Sequence, residues 1–271
     1  MAFMETARSD EELARIQSAV GDRYRVTRRL GAGGMCVVYL AQDVRHGRDI
    51  AIKILDPELA SSIGPQRFKR EIEIAAHLNH PRIVGLIDSG EGDRLLYYVM
   101  PYLAGDTLRT LLSTSKQLAI PDALRIAEQV ASALDYAHRQ GVLHRDVKPE
   151  NILLQDGEAL VADFGIALLT QSSDGARLTD TGISVGTPEY MSPEQATGER
   201  ALDARCDVYS LACVLYEMLV GEPPYTGASA RAVIMKSLSD PVPSARRLRE
   251  TIPPAVDAAL ERALAKEPSD R

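Results

Sequence analysis

The stretch that decides the fold occupies residues 144–151 and reads His-Arg-Asp-Val-Lys-Pro-Glu-Asn. A shorter motif, Asp-Phe-Gly, follows at residues 163–165. The two motifs bring a carboxylate, an amine, an amide and a second carboxylate close together in sequence. This set of groups can hold a divalent cation and a polyphosphate beside a nucleophile. We therefore interpret the rest of the chain as support for these residues.

The composition is that of an ordinary globular protein. Of the 271 residues, 45% are hydrophobic and 25% are charged, and this length allows one large domain or two modest ones. The net charge of -7 and the absence of tryptophan argue against nucleic-acid binding, because a polyanion requires a basic surface. The three cysteines, Cys36, Cys206 and Cys213, form no CxxC pair. They favour a reducing compartment and predict a cytoplasmic location.

No segment of the sequence predicts a membrane anchor. Residues 1–10 lack the basic segment and apolar run of a secretory signal. The most apolar stretch, residues 208–220, is shorter than the roughly 20 residues that span a bilayer. We expect no membrane segment within this chain.

The N-terminal part of the sequence predicts a small antiparallel sheet with one main helix. A first helix over residues 9–20 places Leu13, Ile16 and Val20 on one face, within an N-terminal extension at residues 1–23. A solvated helix without a function is the favoured interpretation, and a functional helix is the alternative. Strands are predicted at residues 24–30, 37–42, 49–55, 83–89 and 94–100, and the main helix at residues 66–78.

Beyond this part the hydrophobic period changes to that of helices. We place the domain boundary at residues 101–105. Helices are predicted at residues 107–112, 121–140, 206–220, 228–238 and 254–265. The second of these is expected to turn Leu124, Val130 and Ala131 towards the core, with other apolar residues at the same spacing. A small sheet followed by a mainly helical domain predicts an α+β fold.

The glycine cluster at residues 31–34 has more than one interpretation. A dinucleotide-binding loop would open a helix, and a Walker loop would end in Gly-Lys followed by Ser or Thr, whereas this cluster precedes a predicted strand and has no such lysine. An ordinary hairpin is the alternative. Lys53, one strand later, favours a phosphate-binding hairpin, and Glu71 on the main helix is placed to hold its ammonium group. For Glu71 the alternative is a solvated helix face.

The residues of the opening stretch have complementary roles in phosphoryl transfer. The Asp146 carboxylate can accept the proton of an attacking hydroxyl, and Lys148 can neutralise charge on the transferred group. Asn151 and Asp163 offer the hard oxygen ligands that Mg²⁺ prefers.

Several motifs occur in an order that is specific to one family. They are the glycine cluster with the Met-Cys-Val-Val that follows it, Ala51-Ile52-Lys53, residues 144–151, residues 163–165 and Ser192-Pro193-Glu194. Over residues 24–271 the sequence resembles the eukaryotic-like (Hanks-type) serine/threonine protein kinases, and most of all their bacterial members. The resemblance implies a bilobal fold with an N-lobe at residues 24–100, a hinge at 101–105 and a C-lobe at 106–271. It also implies ATP as the phosphoryl donor, Mg²⁺ or Mn²⁺ as the metal, and proteins as substrates.

The same resemblance assigns a role to each residue of the site. Lys53 becomes the anchor of the α- and β-phosphates, Glu71 its partner and Asp146 the catalytic base. Lys148 indicates serine or threonine as the acceptor. The metal ligands are Asn151 and Asp163.

The nucleotide pocket also follows from the resemblance. The residues expected around ATP, besides Lys53, Asn151 and Asp163, are Leu30, Gly31, Ala32, Gly33, Gly34, Val38, Ala51, Met100, Tyr102, Leu103 and Leu153. Backbone groups of residues 101–103 would bond the purine edge. On the alternative interpretation the apolar members are ordinary core residues.

The segment between the Asp-Phe-Gly and Ser-Pro-Glu motifs resembles an activation segment. A phosphate on Thr179 or Thr181 would pair with Arg145 and order the segment. We therefore predict activation by autophosphorylation in trans, through a homodimer, although solvated loop threonines are the alternative. Thr187 would hydrogen-bond towards the catalytic base.

Other positions resemble structural supports or depart from the family pattern. Asp207 resembles a buried aspartate that braces the catalytic loop, and Arg271 resembles an arginine that pairs with Glu194. Cys36 stands where a third glycine is usual, and we expect its thiol to be exposed. The chain stops at Arg271, before the helix that normally completes the lobe. We therefore expect a fragment of a longer protein, and a membrane span or a sensor domain are the alternatives for the missing part.

Two rival functions share much of this pattern. A pseudokinase would keep the fold, but it is disfavoured because Lys53, Glu71, Asp146, Asn151 and Asp163 are all present. A small-molecule phosphotransferase would not be expected to carry the sequence at residues 186–194. Serine/threonine protein kinase activity is therefore the prediction.

Overall fold

A computed structural model describes residues 2–33, 36–164, 187–199 and 201–271 of the chain. Two units are distinguished within it. The N-terminal unit comprises Met1–Asn79 and Val84–Leu103, and the C-terminal unit comprises His80–Ile83 and Ala104–Arg271.

The N-terminal unit is built on a five-stranded antiparallel sheet with the strand order β1-β2-β3-β5-β4. Its strands are β1 (Tyr24–Ala32), β2 (Cys36–Asp43), β3 (Arg48–Leu55), β4 (Asp88–Gly92) and β5 (Leu95–Pro101). Its helices are α1 (Ala2–Val20), α2 (Pro57–Ile63) and α3 (Pro65–Ala76). The expected small sheet with one main helix is confirmed, since α3 corresponds to that helix.

One predicted strand is placed differently in the structure. Residues 83–89 were expected to form a strand, but the ladder with β5 begins only at Asp88. Ile83 forms a parallel bridge with Val161 in the C-terminal unit. The apolar start of this segment, at Ile83, therefore pairs with a strand of the other sheet. The hydrophobic period of the sequence does not indicate which sheet a segment joins.

Alternation along β3 divides the N-terminal sheet into two faces. Ile50, Ile52 and Ile54 are buried in one hydrophobic cluster, together with Ile16 and Val20 of α1. The last two side chains are 4% and 5% exposed. The expected apolar face of the first helix is confirmed, but the helix is not a solvated extension, because this face covers one side of the sheet.

The C-terminal unit is mainly helical, which confirms the predicted α+β class. Its helices are α4 (Leu108–Ser115), α5 (Ile120–Arg139), α6 (Pro193–Ala196), α7 (Ala204–Val220), α8 (Ala230–Ser239), α9 (Ala245–Leu248) and α10 (Pro254–Ala263). A three-stranded sheet consists of β6 (Asp106–Thr107), β7 (Ile152–Gln155) and β8 (Glu158–Val161). In the described part of the chain, no helix is long and apolar enough to cross a membrane.

Helices α5 and α7 pack together at the centre of this unit. Most residues of helix α7 are buried, including the polar side chains of Asp207, Ser210 and Glu217. In α5 the inward residues include Val130, as predicted, but Leu124 and Ala131 face outward. Ala123 and Ile126 are buried instead of Leu124, because the packed stripe is rotated from the predicted one.

Candidate active site

The predicted catalytic carboxylate lies in a short network of its own loop. Asp146 Oδ2 is 2.7 Å from Lys148 Nζ, and it accepts a hydrogen bond of 3.1 Å from Asn151 Nδ2. The same Asn151 amide donates to the Asp146 carbonyl at 2.8 Å. The structure thus brings three of the predicted site residues together, and it fixes the orientation of the carboxylate.

Local sequence explains why the loop folds back in this way. Pro149 opens a single turn of 3-10 helix, Pro149–Asn151, where its missing N–H costs no hydrogen bond. The Asn151 N–H then bonds the Lys148 carbonyl at 3.0 Å. This tight turn returns Asn151 to the side of Asp146.

Asn151 and Asp163, the predicted metal ligands, carry oxygen donors of the kind that a hard cation prefers. Because Asn151 Nδ2 is turned towards Asp146, its Oδ1 is left to act as an acceptor. The Asn151 carbonyl accepts the Ala162 N–H at 2.9 Å, which ties the next predicted ligand, Asp163, to the same loop. Asp163 has a left-handed backbone with φ of 70°, a conformation that clusters at functional sites.

This donor set is suited to a metal that shares its coordination with phosphate. Among the residues that the structure describes, no group of three or more His, Cys, Asp or Glu side chains could hold a metal ion. Mg²⁺ typically takes one or two carboxylates and completes its shell with water and phosphate oxygens. Magnesium binding by the Asn151 amide and the Asp163 carboxylate stays a prediction.

The catalytic loop is braced from helix α7 by Asp207, which is fully buried. Its Oδ2 accepts the His144 N–H at 2.8 Å and its Oδ1 accepts the Arg145 N–H at 2.7 Å. Arg145 has a left-handed φ of 65°, so these bonds hold a backbone that would otherwise be unfavourable. The predicted bracing role of Asp207 is confirmed.

His138 is a third partner of Asp207 that sequence reasoning missed. Its Nε2 lies 2.8 Å from Asp207 Oδ2, although the two residues are 69 positions apart. A histidine in the last turn of a helix is expected for its interaction with the helix dipole, and nothing nearby in sequence indicates a distant carboxylate. The His144 side chain adds a further support, since its Nε2 lies 2.9 Å from the Ala162 carbonyl and its ring contacts Phe164 edge to face.

Arg109 is a second residue that sequence reasoning missed. It contacts Glu150 of the opening stretch through Nε at 2.7 Å and Glu217 of α7 through Nη1 at 2.7 Å. Tyr190 donates to Glu217 Oε2 at 2.5 Å and also contacts Arg109. Burial, followed by the charge of Glu217, raises the pKa of Tyr190 well above its usual range, so the phenol stays a neutral donor. Arg109 thereby joins the catalytic loop to the segment that begins at Thr187.

The segment that begins at Thr187 is also bonded to the catalytic loop through Gln195. Gln195 Nε2 donates to the Arg145 carbonyl at 2.8 Å. The predicted ion pair between Glu194 and Arg271 is confirmed as a two-point contact of 2.6 Å and 2.8 Å, with both side chains buried. Thr187 is half-buried at the start of this segment, and its hydrogen bond towards Asp146 stays a prediction.

Within the N-terminal unit, the predicted nucleotide-binding residues share one face of the sheet. Val38 pairs directly with Lys53, and Ala51 pairs with Met100, so these four side chains project to the same side. That side is opposite to the one covered by α1. Glu71 is half-buried on α3 of the same unit, and its pairing with Lys53 stays a prediction.

The remaining residues predicted to bind the nucleotide lie in several elements of the two units. Gly31 and Ala32 end β1 opposite Val38 and Val37, and Leu30 lies at a register shift just before them. The other predicted members are Gly33 in the loop after β1, Tyr102 and Leu103 directly after β5, and Leu153 in β7 of the C-terminal unit. Gly34, Gly165, Thr179 and Thr181 lie outside the described residues.

The expectation of an exposed thiol at Cys36 is wrong. Cys36 is only 4% exposed, because it starts β2 and pairs with Leu55, which is also buried. Its carbonyl accepts the Gly33 N–H at 2.9 Å and closes the hairpin. The prediction placed Cys36 at the tip of the glycine-rich turn, whereas Cys36 is the first residue of β2.

Comparison with known proteins shows the family to which the chain belongs. The protein kinase domain family model matches residues 24–271. The chain is 45% identical to the serine/threonine-protein kinase PknB of Mycolicibacterium smegmatis over 93% of its own length, and 44% identical to PknB of Mycobacterium tuberculosis over 94%. It spans 41% of the length of each of these relatives.

A solved structure is similar along nearly the whole chain. The crystal structure of a mutant of the Mycobacterium tuberculosis PknI kinase domain superposes with a TM-score of 0.73 at 35% identity. The match covers 92% of this chain and 90% of the other. The resemblance inferred from the sequence motifs is thus confirmed, and the chain belongs to the protein kinase domain family.

Proposed function

We propose that this protein transfers the γ-phosphoryl group of ATP to serine and threonine hydroxyls of proteins. The observation that carries the proposal is the arrangement of Asp146 between Lys148 and Asn151, at 2.7 Å and 3.1 Å. The carboxylate can act as a base, while the ammonium group beside it can neutralise negative charge on the phosphoryl group in transfer. The similarity to proteins named serine/threonine-protein kinases supports the same conclusion.

The chemical step follows from the charges of these groups. The acceptor hydroxyl donates its proton to the Asp146 carboxylate while its oxygen attacks the γ-phosphorus, and the bond to the β-phosphate oxygen breaks to release ADP. Lys148 neutralises negative charge on the group in transfer. Mg²⁺, or Mn²⁺ in its place, would be held by Asn151 and Asp163 and supplies positive charge at the phosphate oxygens.

The nucleotide itself would be held by residues of the glycine hairpin and of strands β2, β3 and β5. Lys53 would contact the α- and β-phosphates, with Glu71 keeping its ammonium group in place. Backbone N–H groups of residues 31–34 can approach the phosphates closely. The adenine ring would lie among Leu30, Val38, Ala51, Met100 and Leu153, with Tyr102 and Leu103 at its edge.

Regulation is proposed through the activation segment. Phosphates on Thr179 and Thr181 would each add a charge of about -1.5 to -2 that Arg145 can pair with. Asp207 and Gln195 already bond the backbone N–H and carbonyl of Arg145, so the backbone that bears its guanidinium group is held in place. A homodimer would present the segment of one copy to the Asp146 of the other.

Transfer of labelled phosphate from ATP to a generic basic protein tests the proposed activity. We expect Asp146→Asn to lower the rate at least about 100-fold, because general-base catalysis typically contributes 10²–10⁴-fold. Asp135→Asn is the matched control, since Asp135 is exposed on α5 and forms a local ion pair with Arg139. Equal rates for wild type and Asp146→Asn, or labelled tyrosine in place of serine and threonine, would contradict the proposal.

A further inference from the structure

Helix α1 lies against both edges of the N-terminal sheet. It contacts β1 and β4, which are the two outermost strands in the order β1-β2-β3-β5-β4. Ile16 and Val20 are buried between these edges. The helix precedes the residues that match the family model, which begin at residue 24. It is therefore an addition to the matched domain that is packed as part of the sheet's own core.

At the first edge, Gln17 acts as a substitute for a neighbouring strand. Its Oε1 accepts the Val26 N–H at 2.9 Å, and its Nε2 donates to the Tyr24 carbonyl at 2.8 Å and to the Gly21 carbonyl at 2.9 Å. An edge strand leaves such backbone groups without a strand partner. The single side-chain amide thus pairs with β1 as a peptide group would, and it fixes where the strand begins.

At the second edge the helix meets the backbone of β4. A Cβ atom on Gly92 would lie 2.1 Å from the Ala19 carbonyl, so only glycine allows this approach. Arg15 bonds Asp93 at 3.3 Å in the following turn, and Glu12 accepts from the Tyr39 hydroxyl. Helix α1 is therefore seated on the sheet at several fixed points, of which Gln17 is the one that bonds the β1 backbone.

We propose that Gln17 is a positioning residue for nucleotide binding, and that α1 acts through it on the glycine hairpin. Strand β1 runs from Tyr24, which Gln17 holds, to Gly31 and Ala32 at the turn. The register shift between Val26 and Arg28 lies directly after the second Gln17 contact. The inference rests on the proposed function in one respect, because it takes the glycine hairpin to be the element that binds ATP.

Amide hydrogen exchange and ATP kinetics on the whole chain test this proposal. We expect Gln17→Leu to speed exchange across residues 24–32 at least about tenfold, because β1 loses its edge partner. We also expect the KM for ATP to rise at least about threefold with kcat changed less than about twofold, since binding and not the chemical step is affected.

Gln129→Leu is the matched control. Gln129 on α5 also braces a strand with its side-chain amide, since Oε1 accepts the Ala159 N–H at 2.7 Å and Nε2 donates to Glu158 at 2.8 Å. It lies in the C-terminal unit, so its loss should leave exchange in residues 24–32 and the KM for ATP within about twofold of wild type. Equal effects of the two variants, or unchanged exchange in Gln17→Leu, would overturn the proposal. Faster exchange in Gln17→Leu without phosphate transfer by the wild type would instead overturn the proposed function alone.

Discussion

Asp207 connects the central helix α7 to the catalytic loop through both of its oxygens. It accepts backbone N–H groups of His144 and Arg145, and it lies within bonding distance of His138. These three partners satisfy a carboxylate that has no access to water. The position of Asp146 therefore depends on a residue that does not touch any substrate.

Replacing Asp207 by Asn should lower both stability and activity. The amide keeps one acceptor oxygen but places an NH₂ group against a backbone N–H donor, and an unsatisfied buried group costs about 1–3 kcal/mol. Urea denaturation measures the change in the free energy of unfolding. Asp135→Asn, which alters only an exposed pair, should stay within about 0.5 kcal/mol of wild type. A neutral Asp207→Asn would contradict the bracing role.

Arg271 provides a second residue-scale test. Its guanidinium makes a two-point contact with Glu194, and the side chains are 0% and 5% exposed. Removal of one partner leaves a buried charge, so Arg271→Met should cost about 3–5 kcal/mol in chemical denaturation. Arg139→Met is the comparison, because its pair with Asp135 is exposed and should contribute less than about 1 kcal/mol. Similar losses for the two variants would argue against a structural role for the buried pair.

At the scale of elements, the local hydrophobic pattern predicted which helices form, but it did not predict the surface against which each helix packs. The apolar face of α1 was readable from Leu13, Ile16 and Val20, but the sheet that this face covers is formed by residues that come later in the chain. The rotation of the α5 stripe, which exposes Leu124, is also set by its neighbours. The hydrophobic period predicts that α5 has an apolar face, while packing against α7 determines which residues lie at the centre of that face.

Gly92→Ala should detach α1 from the second edge of the sheet. The new methyl group would overlap the Ala19 carbonyl, so the helix or β4 must move, and overpacking of this kind costs about 1–3 kcal/mol. Gly85→Ala is the control, because open space surrounds that position. Thermal unfolding of the two variants measures the difference, and equal stabilities would show that α1 is not seated as described.

At the scale of the whole molecule, the three cysteines all lie in the interior. Cys36, Cys206 and Cys213 are buried, and burial raises the pKa of the Cys206 and Cys213 thiols well above the usual range. Because the thiolate is the reactive form, native protein at about pH 8 should react with a thiol reagent at least about tenfold more slowly than urea-unfolded protein. A thiol titration records this directly. Rapid labelling of Cys36 in the native protein would restore the idea of an exposed hairpin tip.

The candidate site was predictable where its residues are close in sequence. Asp146, Lys148 and Asn151 lie on one turn, so their meeting follows from local geometry. The contact between Arg109 and Glu217 joins residues 108 positions apart, and no local pattern indicates it. The catalytic centre is thus encoded in short motifs, whereas its supports arise only when the helices pack.

The central claim is that Asp146 serves as the base for phosphoryl transfer from ATP to serine and threonine. Mass-spectrometric mapping of phosphates after incubation of the protein with Mg-ATP tests it most directly. The wild type should acquire phosphate on serine or threonine residues, with Thr179 and Thr181 among them, and Asp146→Asn should acquire it at least about 100-fold more slowly. Both proteins are isolated from the same host and treated with phosphatase before the incubation. A wild type that acquires no phosphate, or equal phosphorylation of the two proteins, would contradict the claim.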